Sequence, residues 1–460
     1  MRIKLAEIIA ATGGAPSPGD YSQTVNNVVI DSREAGPGSL FVAFAGARAD
    51  GHDFVADSAR AGAVAALVQR DVEAPPGFVT VRVPDTLLAL QRLAGWYRAK
   101  FAGLQVIGIT GSSGKTTTKE LVAGVLEQKH VVLKSLGNHN NEIGLPLTLF
   151  ALEEHHRWAV LEMGMSAPGE IRQLCSISKP GLGIITNIGE AHMEYLGSRQ
   201  AIADAKFELA EQLAPPAVMI LNGDDPWQRR RAQAGLPGVK KIIFYGLRQG
   251  DVTAANIDRD IHGSRFDVRW QGKSIGVTLP LPGEHNISNA LAAFAAGLVA
   301  EVPPQAIVQG LAAARGEARR LQAFDVNGFT VIDDSYNANP DSTLRALELL
   351  GSYPSGRRKV AFLGSMLELG AIAREKHRLI GAAAVENKVS LLVAVGEFAE
   401  DIRLGAIEAG LVPEAATAWP DSRAALAATE NIRANDVVLV KGSQGVQMDV
   451  IVKFLKRGRQ

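Results

Sequence analysis

Apolar positions along the chain fall into two spacings. Compact β-branched blocks bounded by Gly, Asp, Asn or Ser mark buried strands, and runs with apolar residues three and four apart mark helices. In residues 1–100 the strand blocks are short, as in "SLFVAFAG" and "GFVTVRV", and a helical run at 87–99 follows them. From 101 to 315, strand blocks at 106–110, 158–162, 183–187 and 218–221 alternate with helical segments, which predicts a mainly parallel sheet. From 316 a second alternating series begins, carried by "FTVIDDS", "KVAFLGS", "SLLVAVG" and "DVVLVKGS". The stretch "GLAAARGEARR" holds the boundary between the two series. The chain thus reads as three units, 1–100, 101–315 and 316–460, without internal repeats. Its most apolar run, 290–300, is far too short for a membrane span and reads as a core helix.

Composition narrows the class. A chain of 460 residues suits about three domains. The formal net charge of zero gives no sign of a nucleic-acid partner. The single cysteine, Cys175, excludes a disulfide framework and a cysteine metal site, and reads as a small buried or free thiol. "MRIKLAEIIAATGG" is too short and interrupted in its apolar part for a signal peptide, so a cytoplasmic protein is expected.

The chemistry starts at "ITGSSGKTTTKE". A buried strand over 104–110 meets a helix over 116–128 whose Leu121, Val125 and Leu126 share one side. The glycines therefore sit at a strand-to-helix turn, where backbone N–H groups and the helix N-terminus favour an anion. Gly111, Ser112, Ser113, Gly114, Lys115, Thr116 and Thr117 form this cradle. Gly111 and Gly114 allow close approach, Lys115 can reach β- and γ-phosphates, and Thr116 can hold Mg²⁺. The long phosphate-loop pattern needs Gly at 109, where this chain has Ile109, so the match is to the shorter G-x-x-G-K-T-T. The plain alternative is an ordinary turn with a surface lysine.

Other polar residues fall where strands end, the place where parallel sheets gather ligands. Glu162 closes an apolar strand and needs a cation or hydrogen bonds to offset its desolvation. Mg²⁺ beside a nucleotide would serve, as would a local Arg or Lys. His192 follows the next strand and Lys206 lies in a helix; alone, they would read as a structural histidine and a solvated lysine. Asn286 and Asn289 lie three apart at a helix start, so their amides face one way and suit a purine edge. Helix capping by Asn286 is the alternative.

At this point the residues resemble a known family. "GITGSSGKTTTKE", "TNIGEAHMEYLGS", "ADAKFEL" and "LPGEHNISNALAA" are similar to motifs of the Mur ligases of peptidoglycan synthesis. "LGNHNNEIGLPLTL", "LEMGMSAPGEI", "VIDDSYNANPDS" and "FLGSMLELG" resemble the branch that adds D-Ala-D-Ala, and "DSREAGPGSLFVAFAG" with "DGHDF" its N-terminal domain. The resemblance implies an α/β protein with a small N-terminal substrate domain, a central P-loop ATPase-like parallel sheet and a C-terminal Rossmann-like domain. It implies ATP as cosubstrate, UDP-MurNAc-tripeptide and D-Ala-D-Ala as the molecules joined, an acyl phosphate between, and a monomer.

Site roles follow from the resemblance position by position. Lys115 would contact the β- and γ-phosphates. Thr116 and Glu162 would hold a first Mg²⁺, and His192 with Glu162 a second. Lys206 matches a lysine carbamylated in several members, which would turn a repelling ammonium into a metal-facing anion. Asn289, with Asn286, would face adenine. Arg320, or Arg319 beside it, would reach the ATP phosphates, and Asp334 would contact the ribose or help close the domain. Tyr336, Asn337 and Asn339 are candidates for the dipeptide side. Ser32, Arg33, Asp50 and His52 are candidates for the uridine diphosphate end. Asn138 and Asn141 would line the muramoyl path, with loop hydrogen bonding as their alternative. A sister ligase adding diaminopimelate or lysine, and a phosphate-loop switch or motor, are the rival functions.

Overall fold

The computed structural model describes residues 1–46 and 49–457. Three sheets dominate. The first has five strands in the order Ala15–Pro16, Val79–Arg82, Ala65–Val68, Ser39–Val42, Asn27–Val29, parallel except for the first pair. Helix Thr86–Ala99 follows it, capped by the Asp85 carboxylate, which accepts from the Leu88 N–H. This helix buries Leu90, Leu93, Ala94 and Tyr97. The apolar cluster they belong to runs without a break into Leu145, Leu149, Ile171 and Leu174 of the next domain. The first two domains thus share one core.

The central sheet has nine strands. Strand Gln105–Thr110 lies between Trp158–Glu162 and Leu182–Ile185, parallel to both. The register sets Glu162 opposite Ile109 and Ile185 opposite Thr110, so three strands end side by side. Strands Val218–Asn222, Lys241–Gly246 and Val252–Arg259 extend the parallel run. Ser264–Trp270 and Lys273–Leu279 then close the sheet as an antiparallel edge. The apolar blocks do not announce that edge, because its strands are buried on one face only: Phe266, Val268 and Trp270 point inward with exposed or half-buried residues between them. Helix Glu284–Val299 carries the apolar run through the core, buried from Ala290 to Gly297.

The C-terminal sheet has six strands, parallel apart from the edge pair Gln322–Val326 and Phe329–Asp334. Its cores are its own, on the two faces of the sheet. It meets the central domain largely through polar contacts. Lys376 pairs with Glu190 at 2.9 Å, and the Glu194 N–H donates to the Glu368 carbonyl. Cys175 is a buried free thiol whose titration burial pushes up to about 12, as expected of a packing residue. Among the described residues no helix is long and apolar enough to cross a membrane.

Candidate functional site

The phosphate loop is held in shape before any ligand enters. Gly111 has φ 151°, and a Cβ there would fall 1.8 Å from Thr186 Oγ1; Gly114 has φ 78°, and its Cβ would fall 2.8 Å from Asn289 Oδ1. Neither place admits a side chain. Asn187 clamps the loop from the neighbouring strand end, accepting the Ser113 N–H on Oδ1 at 3.0 Å and donating from Nδ2 to Ser113 Oγ at 2.8 Å. The Gly189 N–H donates to Ser112 Oγ at 2.8 Å. Helix Lys115–Leu126 starts from Gly114 with no side-chain cap. Its first N–H groups are therefore available to a bound anion.

Lys115 folds back so that Nζ donates to the Gly111 carbonyl at 2.8 Å. Burial lowers its pKa, Glu162 opposes that, and the Arg320 charge adds to it. Glu162 is buried: Oε1 accepts from Asn140 Nδ2 at 2.8 Å, while Oε2 has no hydrogen-bond partner among the described residues. A buried carboxylate oxygen left bare is costly unless a cation arrives. Thr116 is also buried, and it lines the same cavity. Among the described residues no group of three or more His, Cys, Asp and Glu is arranged to hold a metal ion. The donor set fits Mg²⁺ all the same, since that ion takes one or two protein oxygens and completes its shell with phosphate and water.

The cavity, about 560 Å³, lies between the central and C-terminal domains. From the central side come Ser112 to Thr117, Glu162, His192, Asn286 and Asn289, with Asn138 and Asn141 at one end. From the C-terminal side come Arg320, Asp334, Tyr336, Asn337 and Asn339. Asn286 is not a cap: the helix begins after Gly283, and Asn286 Nδ2 donates back to the Pro282 carbonyl while Oδ1 accepts from Asn289. Asn141 Oδ1 accepts the Gly144 N–H at 2.9 Å, so its amide shapes its own loop.

The two arginines separate cleanly. Arg319 donates to the Ser335 carbonyl at 2.8 Å and lies 3.6 Å from Asp449. Arg320 stacks over the Tyr336 ring, 4.1 Å from its centroid, and faces the cavity. Asp334 is engaged on both oxygens, accepting from Lys441 Nζ at 2.6 Å and from the Leu321 N–H at 3.1 Å. Burial raises its pKa against the pull of Lys441. Asn339 caps helix Pro340–Ser352 through the Ser342 N–H and donates to the Ser112 carbonyl at 3.3 Å, across the domain gap.

The carboxylate beside His192 is Glu368 of the C-terminal domain, and Glu162 lines the same cavity. Glu368 Oε2 lies 2.6 Å from His192 Nδ1, close yet out of hydrogen-bond alignment, and the histidine holds the Glu368 carboxyl below its usual range. Lys206 is buried in helix Arg199–Glu211, outside the cavity wall. Burial first, and the Lys115 charge second, press its pKa well below that of an ordinary lysine.

Ser32, Arg33, Asp50 and His52 are not brought to this cavity. Arg33 is exposed and pairs with Asp31. His52 is buried: Nδ1 sits 2.6 Å from Asp50 Oδ1, and Nε2 accepts the Gln69 N–H at 2.8 Å. Asp50 also pairs with Arg70 at 3.0 Å. Sequence reasoning did not single out Asn140, Glu368, Lys441 or Arg345. Asn140 lies among three asparagines in "GNHNNEIG", Glu368 within "FLGSMLELG" and Lys441 within "DVVLVKGS", while Arg345 lies outside every quoted motif.

Comparison with known proteins gives a consistent picture. Residues 24–97 match the family model described as Mur ligase family, catalytic domain; 109–297 match the Mur ligase middle domain; 319–444 match the Mur ligase, glutamate ligase domain. A UDP-N-acetylmuramoyl-tripeptide–D-alanyl-D-alanine ligase of Bacillus subtilis is 36% identical over 456 residues, spanning 98% of this chain and 97% of that protein. The ligase of the same name from Escherichia coli is 35% identical, with 94% of each covered. The crystal structure of MurF from Acinetobacter baumannii superposes with a TM-score of 0.90 at 32% identity, covering 100% of this chain and 99% of that one. A Thermotoga maritima MurF ligase solved in complex with ADP gives 0.81 at 28% identity, over 94% and 97%.

Proposed function

The chain belongs to the Mur ligase family, and from that premise we infer that it joins D-Ala-D-Ala to UDP-MurNAc-tripeptide at the expense of ATP, yielding UDP-MurNAc-pentapeptide. The observation that carries this is the cavity itself. A phosphate loop, a buried carboxylate with one bare oxygen and the residues of "DDSYNANP" converge on one space between two domains.

The chemistry follows from what a carboxylate lacks. It is anionic, and its oxygen leaves badly. ATP transfers its γ-phosphoryl group to an oxygen of the tripeptide carboxylate, and ADP departs. Lys115, the loop N–H groups and Arg320 offset the charge on the moving phosphoryl group. The dipeptide amine then attacks the acyl carbon and sheds a proton. The carbon–oxygen bond to phosphate breaks, and an amide remains. Thr116 and Glu162 would hold one Mg²⁺ and His192 a second; bound there, magnesium neutralises phosphate charge. Glu368 positions His192 from the C-terminal side, so the site is complete only when the domains meet.

Carbamylation of Lys206 fits the same scheme. A lysine adds CO₂ only as the neutral amine, and burial beside Lys115 favours that form. The carbamate product is an anion, which Lys115 would stabilise. If Lys206→Ala keeps full activity and bicarbonate removal changes nothing, that modification has no part.

Asn286 and Asn289 are proposed for adenine, and Asp334 for the ribose end through its tie to Leu321. Tyr336, Asn337 and Asn339 are assigned to the dipeptide side, and Asn138 with Asn141 to the muramoyl path. In the N-terminal domain Ser32, Arg33, Asp50 and His52 are the candidates for the uridine diphosphate end, with Arg33 held by Asp31 and Asp50 by Arg70. We take 1–100, 101–315 and 316–460 as the working domains. One chain supplies every group named, so a monomer suffices, and use of ATP fits the cytoplasm.

The test is phosphate release from ATP and Mg²⁺ in the presence of UDP-MurNAc-tripeptide, with and without D-Ala-D-Ala. Sustained release that requires both supports the assignment. Release that prefers a single amino acid moves the chain to a sister ligase, and release indifferent to both removes the ligase function.

A further inference from the structure

Helix Pro340–Ser352 of the C-terminal domain docks end-on against the phosphate loop. Asn339 reaches the Ser112 carbonyl, and six residues further along Arg345 Nη1 donates to Ser113 Oγ at 3.2 Å. Arg345 lines the nucleotide cavity and also a neighbouring one of about 740 Å³, so its guanidinium stands at the junction of the two.

Arg319 has Asp449 at 3.6 Å and Arg259 has Glu284 at 2.6 Å, whereas Arg345 forms no ion pair among the described residues. Arg320, stacked on Tyr336, likewise forms no ion pair among the described residues. With Lys115 they bring positive charge from both domains to one loop. The Arg345 charge is felt by the neighbouring His285, whose imidazole burial first and that charge second push down. A guanidinium held one hydrogen bond from a phosphate cradle, without a counterion, is a built receptor for phosphate oxygens.

We propose that Arg345, supplied by the C-terminal domain, is a ligand for the terminal phosphates of the bound nucleotide. The inference rests on the loop binding ATP as assigned above. When nucleotide binds, Arg345 exchanges the Ser113 hydroxyl for a β- or γ-phosphate oxygen.

The experiment measures binding of AMP, ADP and the non-hydrolysable analogue AMP-PNP, each with Mg²⁺, by calorimetry on the full chain. Wild type, Arg345→Ala, Arg345→Lys and Lys115→Ala are compared, with thermal unfolding as a check on folding. Arg345→Ala is expected to weaken ADP or AMP-PNP roughly ten- to a hundredfold, the scale of one charge-assisted hydrogen bond. AMP, which lacks the terminal phosphates, should change little, and Arg345→Lys should recover part of the loss. Equal weakening of all three nucleotides, or no weakening, overturns the proposal, because a mere strut between domains would not discriminate phosphate number. Lys115→Ala separates the two levels. If it abolishes binding while Arg345→Ala leaves the affinity for all three nucleotides unchanged, only the Arg345 assignment fails. If it too leaves binding intact, the loop is not the nucleotide site.

Discussion

Replacing Glu162 by Gln isolates the bare oxygen at the centre of the site. The amide keeps an oxygen that can accept from Asn140 Nδ2, and the backbone N–H still donates to Ser135 Oγ. The strand register and the neighbouring packing are unchanged, so stability should move by no more than about 1 kcal/mol. What disappears is the negative charge on an unpartnered, buried Oε2. If that oxygen holds Mg²⁺, its loss removes several kcal/mol of charge stabilisation from phosphoryl transfer. A loss of roughly 4 kcal/mol is about a thousandfold in rate. Lys115 should suffer as well, since Glu162 is the group that opposes its depression by burial. Initial rates of phosphate release, measured at saturating substrates while Mg²⁺ is titrated, read both effects. The variant should need far more Mg²⁺ and recover partly at high concentration. A variant within a fewfold of wild type, with an unchanged Mg²⁺ dependence, would refute the metal role of Glu162.

Three further outcomes follow from the same geometry. Lys441→Met strands the buried Asp334 carboxylate and should destabilise the C-terminal domain by roughly 3–5 kcal/mol, with much of the loss restored in the Asp334→Asn, Lys441→Met double variant; denaturant unfolding in which the single variant is as stable as the double would contradict this. Burial, with the Arg345 and Lys441 charges, pushes the His285 imidazole from 6.5 down to about 3. Its contribution to stability is therefore fully present above pH 6.5 and erodes as pH falls toward 3, by up to about 1.4 kcal/mol per pH unit, and His285→Asn should flatten that part of the pH–stability curve. Gly114→Ala puts a Cβ against Asn289 at a positive φ and should abolish nucleotide binding, a loss measurable by calorimetry with ADP.

Much of the fold was legible because buried parallel strands announce themselves. The blocks around Ile107, Val160, Ile184 and Ile220 are apolar except at their ends, and the chain order of such blocks predicts an alternating sheet. The phosphate loop was legible for the same local reason: strand, glycines, Lys-Thr and helix are contiguous. The edge hairpin near Phe266 was not, since half-buried strands carry a weaker pattern and these sit between loops of similar composition. The site was legible where one segment carries the chemistry and opaque where tertiary contact does. No spacing in the sequence links Asn140 to Glu162, Glu368 to His192, or Arg345 to Ser113. Each pair forms because the sheet register or the docking of the C-terminal domain brings distant segments together. His52 shows the converse. In "DGHDF" it looks available, yet the fold occupies both ring nitrogens.

The central claim is that phosphate leaves through an acyl phosphate on the tripeptide. UDP-MurNAc-tripeptide labelled with ¹⁸O in its terminal carboxylate, turned over with ATP and D-Ala-D-Ala, tests it directly. The account predicts one ¹⁸O atom in each phosphate released and one retained in the new amide. Unlabelled phosphate would contradict it, since the carboxylate oxygen would never have been bonded to phosphorus.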